Sequence, residues 1–189
     1  MFTGIIRGRG EVLEIKEVPE GKVLKIRTEL GQEHFWQGNS IAVDGVCLTV
    51  ESYESGVFSV TAVPETLSKT LVGHYVEGQI VNLEPPLTLQ TPLAGHFVSG
   101  HVDGLVEVLQ GGQDFRLKYP SSFKKFLAPK GSVTLNGVSL TLAEVQDAFF
   151  RIALIPETLE KTNLGLVKPG SLINMEVDLL ARYLEQLHS

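Results

Sequence analysis

The 189-residue sequence contains few of the residues that build disulfides and metal sites. It has one cysteine, Cys47, which excludes an intramolecular disulfide and a cysteine-rich zinc site. Its five histidines include one close pair, His96 and His101, and their spacing of five fits no common helical ligand pair. We therefore expect no bound metal.

Other absences exclude further classes of function. The net charge of −6 argues against a nucleic-acid-binding protein, and no run reaches the roughly 20 apolar residues that span a bilayer. The first residues do not resemble a signal peptide, so we expect a cytoplasmic protein. The sequence has no P-loop, no dinucleotide fingerprint and no Gly-x-Ser-x-Gly motif, so we expect no nucleotide cofactor from these motifs.

The sequence repeats itself. Residues 40–50 and 132–142 are identical at five of eleven positions, and residues 63–73 and 155–165 at seven of eleven, both at an offset of 92. Residues 4–12 match residues 100–108 at an offset of 96. Matches that keep their order along the chain indicate duplication of one structural unit. We divide the chain into two copies, 1–88 and 89–178, and a tail, 179–189, with a proline-rich join near 85–92.

Each copy is predicted to consist of short β-strands. Asp44-Gly45 and Asn136-Gly137 each separate two β-branched runs, which is a strong hairpin signal. Further strands are expected at 10–16, 22–28, 57–62 and 79–84, and at 104–110, 114–118, 148–154 and 171–177. Short strands separated by turns predict an all-β fold, either a sandwich or a small closed barrel.

Three helices are expected beside the strands. Both Pro-Glu-Thr-Leu segments, at 64–67 and 156–159, place proline and glutamate where a first helical turn favours them. The tail has apolar residues at 180, 183, 184 and 187, the spacing of an amphipathic helix. Its apolar face must pack either on its own barrel or in a helix bundle between identical subunits.

The two copies differ at positions that could carry chemistry. Cys47 corresponds to Ser139, and Ile5 corresponds to His101. A thiol, a hydroxyl and an imidazole facing a ligand would be candidates for a nucleophile or an acid–base group. Residue type alone also allows a buried small cysteine, a structural serine and a histidine with only a packing role.

Taken together, these motifs resemble riboflavin synthases of the α-chain type. The resemblance rests on residues 1–6, 44–50, 95–104, 136–141 and 154–159 in this order, and it covers the whole chain. It implies two tandem six-stranded antiparallel Greek-key barrels related by internal duplication, with a C-terminal α-helix. It further implies a homotrimer, and association with lumazine synthase as a further option.

The resemblance also implies a transferase reaction. Two molecules of 6,7-dimethyl-8-ribityllumazine would exchange a four-carbon unit to give riboflavin and 5-amino-6-(D-ribitylamino)uracil, with no cofactor. The first barrel of one subunit would face the second barrel of its neighbour. Cys47, His101, Ser139 and Asp178 are the candidates for the reactive group, and the resemblance does not assign their roles.

The family's ligand sites map onto both copies. The resemblance groups Gly4, Ile5 and Ile6 with Cys47 in one pocket, and Gly100, His101 and Val102 with Ser139 in the other. Its remaining substrate-binding residues are Ser40, Leu48, Thr49, Thr61, Ala62, Val63, Pro64, Glu65, Thr66, Lys130, Leu140, Thr141, Ala153, Leu154, Ile155, Pro156, Glu157 and Thr158, with Phe2 close by.

Two alternatives belong to other classes. A non-catalytic lumazine or flavin carrier of the same fold would keep the ligand sites and lack turnover. A β-barrel interaction module would bind no small molecule. The serine and histidine in the second copy, and the presence of both Pro-Glu-Thr motifs, favour the enzyme.

Overall fold

A computed structural model describes residues 1–188 and shows a mostly β protein with one set of strands from each repeat. The first repeat contains β1 (Gly8–Val18), β2 (Gly21–Thr28), β3 (Ser40–Val43), β4 (Val46–Glu54), β5 (Val57–Ala62), α1 (Pro64–Lys69) and β6 (Ile80–Glu84). The second contains β7 (Gly104–Gln110), β8 (Asp114–Lys118), β9 (Ser132–Leu135), β10 (Val138–Thr141), β11 (Glu144–Val145), β12 (Phe149–Ala153), α2 (Pro156–Lys161) and β13 (Leu172–Val177), followed by α3 (Leu179–His188).

The first repeat forms a closed antiparallel barrel, here called barrel 1, with strand order β1-β2-β5-β4-β3-β6. The second repeat forms a curled sheet, barrel 2, with order β10-β9-β13-β7-β8-β12-β11. This is the same order, because β10 and β11 together correspond to β4. The interruption follows Thr141, close to where β4 has a register shift between Val50 and Ser52. The prediction of tandem barrels with a C-terminal helix is confirmed.

Each barrel has its own apolar core. Phe58, Leu24 and Ile26 are fully buried in barrel 1, and Phe115 and Phe150 are fully buried in barrel 2. Complete burial of such a side chain contributes about 1.5–3 kcal/mol, so each barrel is stabilised mainly from within. Within residues 1–188, no helix is long and apolar enough to serve as a transmembrane segment.

Both predicted hairpin turns face each other where the barrels meet. Asp44 and Gly45 have φ values of 47° and 78°, and Asn136 and Gly137 have 44° and 81°, as a two-residue hairpin with two positive φ angles requires. A Cβ added to Gly45 would lie 2.7 Å from the backbone nitrogen of Gly137. Glycine is therefore needed here for the turn and for the close approach of the two barrels.

A buried polar network joins the barrels. Asn82 Nδ2 donates to the carbonyl of Asn136 at 2.9 Å, and Asn174 Nδ2 donates to the carbonyl of Asp44 at 2.9 Å. The Asn82 amide donates to Asp44 Oδ1 at 2.7 Å, and the Asn174 amide donates to Asn136 Oδ1 at 2.8 Å. Since the bonds occur in reciprocal pairs, an approximate twofold axis relates the barrels.

The network departs from this symmetry at Asp44, whose counterpart is Asn136. Its carboxylate accepts hydrogen bonds from Tyr75 Oη at 2.7 Å and from Asn163 Nδ2 at 2.8 Å. Burial raises the pKa of Asp44 to about 7, although the surrounding donors act in the opposite direction. Within residues 1–188 every buried side-chain nitrogen and oxygen has a partner, so the interface carries no unpaired polar group.

Candidate active site

Two short segments pair along the approximate twofold axis: residues 2–6, which precede β1, and residues 98–102, which precede β7. Phe2 and Val98 exchange two backbone hydrogen bonds, at 2.8 and 3.1 Å, and both are buried. Phe2, Val98 and Ala42 form a small apolar cluster against which Cys47 packs. The two repeats thus place equivalent segments side by side between the barrels.

Each segment lies on a strand of the opposite barrel. The Ser139 amide in barrel 2 donates to the Gly4 carbonyl at 2.8 Å, and the Cys47 amide in barrel 1 donates to the Gly100 carbonyl at 2.9 Å. A Cβ on Gly4 would lie 2.6 Å from Ser139 Cβ, and one on Gly100 would lie 2.6 Å from Cys47 Cβ. No residue larger than glycine fits at either crossing point.

This crossing corrects the grouping implied by the resemblance. The resemblance groups Gly4, Ile5 and Ile6 with Cys47, and Gly100 with Ser139. The structure instead pairs Gly4 with Ser139 and Gly100 with Cys47. Ile6 packs against the core of barrel 2, and Val102 packs against the core of barrel 1. The repeat in the sequence shows that residues 2–6 and 98–102 are equivalent. It does not show which barrel each segment contacts, because the sequence pattern is the same in both cases.

His96 joins the Ser139 site, and the sequence reasoning did not select it. His96 Nδ1 lies 2.7 Å from Ser139 Oγ, and its Nε2 lies 3.2 Å from Thr134 Oγ1. A sequence signal existed, because His96 falls within the motif at 95–104 and precedes the matched part of the repeat. In the structure, the imidazole beside Ser139 distinguishes this pocket from the Cys47 pocket, where the thiol packs against Phe2, Ala42 and Val98.

Burial lowers the pKa of His96, while the charge of Asp178 acts to raise it. A neutral imidazole accepts a hydrogen bond at one nitrogen and donates at the other, which suits two hydroxyl partners. A hydroxyl held by a neutral histidine is the arrangement of an activated nucleophile or of a proton relay. Asp178, selected from the sequence, therefore acts electrostatically on the Ser139 site.

The Cys47 site is different. Cys47 is partly buried, and its neighbours Phe2, Ala42 and Val98 are apolar. Within residues 1–188, the thiol has no histidine partner comparable to His96. The two related sites thus hold a thiol in apolar surroundings and a hydroxyl bonded to an imidazole, so their chemistry is unequal.

His101 lies apart from Ser139. It is exposed and lines a cleft of about 390 Å³ between α3 and barrel 1, together with Lys69, Asp103, Arg182 and Tyr183. Its backbone amide donates to Ser99 Oγ at 3.1 Å. Ser139 does not line this cleft, so the structure does not bring these two candidates together.

The remaining sequence-selected residues lie on both barrels at related positions. Thr49 and Thr141 are exposed on the strand face opposite Leu48 and Leu140, as the alternation predicted, and Ser40 pairs with Thr49 across β3 and β4. Of the others, the exposed residues are Val63, Pro64, Glu65, Lys130, Ala153, Ile155, Pro156 and Glu157, the partly buried ones are Thr61, Thr66 and Thr158, and the buried ones are Ala62 and Leu154.

The two glutamates of the Pro-Glu-Thr motifs have local partners. Glu65 pairs with Lys69 at 2.5 Å, and Glu157 pairs with Lys161 at 2.5 Å, in both cases one turn later in the helix. Such exposed pairs contribute little to stability. Thr66 and Thr158, next to these glutamates in the sequence, are partly buried.

Known proteins match both repeats. The lumazine binding domain family matches residues 3–85 and again 99–178. A riboflavin synthase of Brucella abortus is 41% identical over 197 residues, covering 99% of this chain and 98% of the relative. Those of Actinobacillus pleuropneumoniae and Bacillus subtilis are 37% and 36% identical, covering 98% and 97% of this chain and 89% and 88% of the relatives.

Solved structures show the same fold. LumP complexed with riboflavin has a TM-score of 0.84 at 24% identity, covering 94% of this chain and 99% of that chain. LumP complexed with 6,7-dimethyl-8-(1'-D-ribityl) lumazine has a TM-score of 0.83. At this identity the likeness concerns the fold alone.

Proposed function

This chain belongs to the lumazine binding domain family, among the riboflavin synthases, and we propose that it catalyses their reaction. Two molecules of 6,7-dimethyl-8-ribityllumazine yield riboflavin and 5-amino-6-(D-ribitylamino)uracil, with transfer of a four-carbon unit. The observation that carries the proposal is the 41% identity to a riboflavin synthase along 99% of the chain. The transferase reaction accounts for the duplication, since two identical substrates need two related pockets.

The unequal sites give the two substrates different chemistry. In the proposed mechanism, Ser139 Oγ adds to the carbon of a ring C=N bond of one lumazine, the π electron pair of that bond moves to the ring nitrogen, and the hydroxyl proton passes to His96, 2.7 Å away. When the C–O bond to Ser139 breaks again, its electron pair stays on Oγ and the proton returns from His96. The resulting imidazolium is stabilised by Asp178, whose charge favours the protonated ring. The Cys47 site holds the other lumazine, with Thr49 and Thr66 offering hydroxyls to its ribityl chain. Holding both rings near each other supplies much of the rate through proximity.

A turnover assay tests the function. Purified protein mixed with 6,7-dimethyl-8-ribityllumazine alone should produce riboflavin, measured by its fluorescence after chromatographic separation. Heat-denatured protein serves as the control. Saturable binding of the lumazine without riboflavin formation would instead make the protein a carrier and overturn the proposed catalysis.

We also propose that the protein acts as a homotrimer assembled through α3. Polar contacts hold this helix on barrel 2, with Arg182 bonded to both carboxylate oxygens of Asp103 at 2.7 and 2.8 Å, and Lys125 paired with Glu185 at 2.8 Å. Its apolar residues face away from the barrel: Leu180, Tyr183, Leu184 and Leu187 are 58–81% exposed. Of the two options for the tail, these contacts favour a bundle between subunits.

Placing a charge on this apolar face should disrupt the assembly. Leu184→Glu should convert a trimer to smaller species in sedimentation velocity, because the carboxylate would be buried without a partner. Gln186→Glu, on the same helix, is the matched control and should leave the sedimentation coefficient unchanged. A monomeric wild-type protein would contradict the proposal.

Association with lumazine synthase stays a prediction of the family resemblance.

A further inference from the structure

Two buried glutamates lie at the ends of the last strands of the two repeats and bind the crossing segments, Glu84 as the final residue of β6 and Glu176 as the penultimate residue of β13. Glu84, 3% exposed in β6, accepts hydrogen bonds from the Thr3 amide at 2.8 Å, from Thr3 Oγ1 at 2.7 Å and from the Gly4 amide at 3.0 Å. Both carboxylate oxygens are used, because Oε1 binds Thr3 and Oε2 binds Gly4.

Glu176, 3% exposed in β13, repeats this geometry in the second copy. It accepts hydrogen bonds from the Ser99 amide and Ser99 Oγ, both at 2.7 Å, and from the Gly100 amide at 3.0 Å. Burial raises the pKa of each glutamate, while these donors act in the opposite direction. Each carboxylate, with the three hydrogen bonds that it accepts, is here called a clamp. The two crossing segments are thus held by two equivalent clamps.

Each clamp controls the residue that touches the opposite barrel. Glu84 belongs to barrel 1, but the glycine that it binds contacts Ser139 in barrel 2. Glu176 belongs to barrel 2, but the glycine that it binds contacts Cys47 in barrel 1. Gly4 and Gly100 have φ values of 75° and 83°, so the clamped amides fix a left-handed backbone at the contact.

We infer that Glu84 and Glu176 are positioning residues that act across the barrel boundary. Glu84 shapes the Ser139 pocket, and Glu176 shapes the Cys47 pocket. A glutamine cannot replace either one, because its NH₂ group would face an amide donor where the carboxylate offers an acceptor. That these two pockets are reactive rests on the proposed function. The contact of each repeat's segment with the opposite barrel is a property of the fold.

The single cysteine provides a direct readout for the Cys47 pocket. Glu176→Gln should accelerate alkylation of Cys47 by iodoacetamide by about tenfold, the scale set by leaving a buried donor unsatisfied. Glu84→Gln should accelerate it less. The comparison is made in folded protein, with the circular dichroism spectrum checked for each variant.

The matched experiment moves the thiol to the other pocket. In the Cys47→Ser/Ser139→Cys background, the thiol at position 139 should respond in the opposite order, more strongly to Glu84→Gln than to Glu176→Gln. Equal acceleration by both variants, or a larger effect within the same barrel, would overturn the inference. Where a glutamine variant fails to fold, Ser99→Ala and Thr3→Val, which each remove one hydroxyl donor, should give the same order at smaller amplitude.

The alkylation experiment tests the role of the two glutamates independently of the proposed catalytic function. Thiol accessibility is measured without substrate, so the crossed pattern can hold even when the wild-type protein forms no riboflavin. Where turnover is present, added 6,7-dimethyl-8-ribityllumazine should protect Cys47 in the wild type, and Glu176→Gln should weaken that protection more than Glu84→Gln.

Discussion

Replacing His96 with glutamine should lower riboflavin formation by about 10²–10⁴-fold, the usual contribution of a positioned acid–base group. The ring contacts Ser139 Oγ at 2.7 Å, and glutamine keeps a polar side chain there without a group that takes up a proton near neutral pH. The melting temperature should change little. Turnover is measured with the fluorescence assay at saturating lumazine.

His74→Gln is the matched control, because His74 is an exposed histidine outside the proposed site. Its turnover should equal that of the wild type. Ser139→Ala should reduce turnover to a similar extent as His96→Gln, and the double variant should be no slower than the slower single variant, since residues acting as one unit are not additive. Independent, multiplying effects would reject the pair as a catalytic unit, and normal turnover in His96→Gln would remove His96 from the mechanism.

Replacing Asn82 with leucine should destabilise the protein by about 2–6 kcal/mol, because two buried backbone groups lose a partner at about 1–3 kcal/mol each. Asn82 Nδ2 donates to the Asn136 carbonyl at 2.9 Å, and its Oδ1 accepts from the Asn163 amide at 2.7 Å. Asn82 Nδ2 also donates to Asn163 Oδ1 at 2.8 Å, and leucine, which is close to asparagine in size, supplies none of these three bonds. Urea unfolding followed by circular dichroism measures the loss.

Ser52→Ala is the control for this prediction. Ser52 bonds Ser59 at 2.7 Å on the exposed surface of barrel 1, and surface changes of this kind stay within about 0.5 kcal/mol. Each barrel keeps its own core in Asn82→Leu, so the loss should arise mainly at the interface. Unchanged stability would contradict the prediction and show that the Asn82 hydrogen bonds contribute no net free energy of unfolding.

Much of the fold could be predicted because it depends on local signals that occur twice. Asp44-Gly45 and Asn136-Gly137 require positive φ angles, and both turns form as expected. The strands alternate apolar and polar residues, and the predicted helices form at 64–69, 156–161 and 179–188. Residues close together in the sequence determine each of these turns and strands. Because the repeat shows each signal twice, the second copy supports the prediction made from the first.

The exchange between the barrels and the role of His96 could not be predicted in this way. Hydrogen bonds such as Ser139 to Gly4 join residues from different repeats, and a repeat pattern is identical whether a segment covers its own barrel or its partner. The contact of His96 with Ser139 depends on that arrangement in space. The buried network has the same origin, since Asn82 and Asn174 look like ordinary polar strand residues in the sequence.

The crossed segments also determine the order in which the molecule can be completed during synthesis. Barrel 1 has all its strands once residue 84 has left the ribosome, whereas Gly100, which covers Cys47, and Asn163, which bonds Asp44 from 119 residues away, come later. At roughly 5–20 residues per second, N-terminal folding precedes this closure by several seconds. The nascent first half therefore has an open thiol pocket and an incomplete polar face until the second half docks.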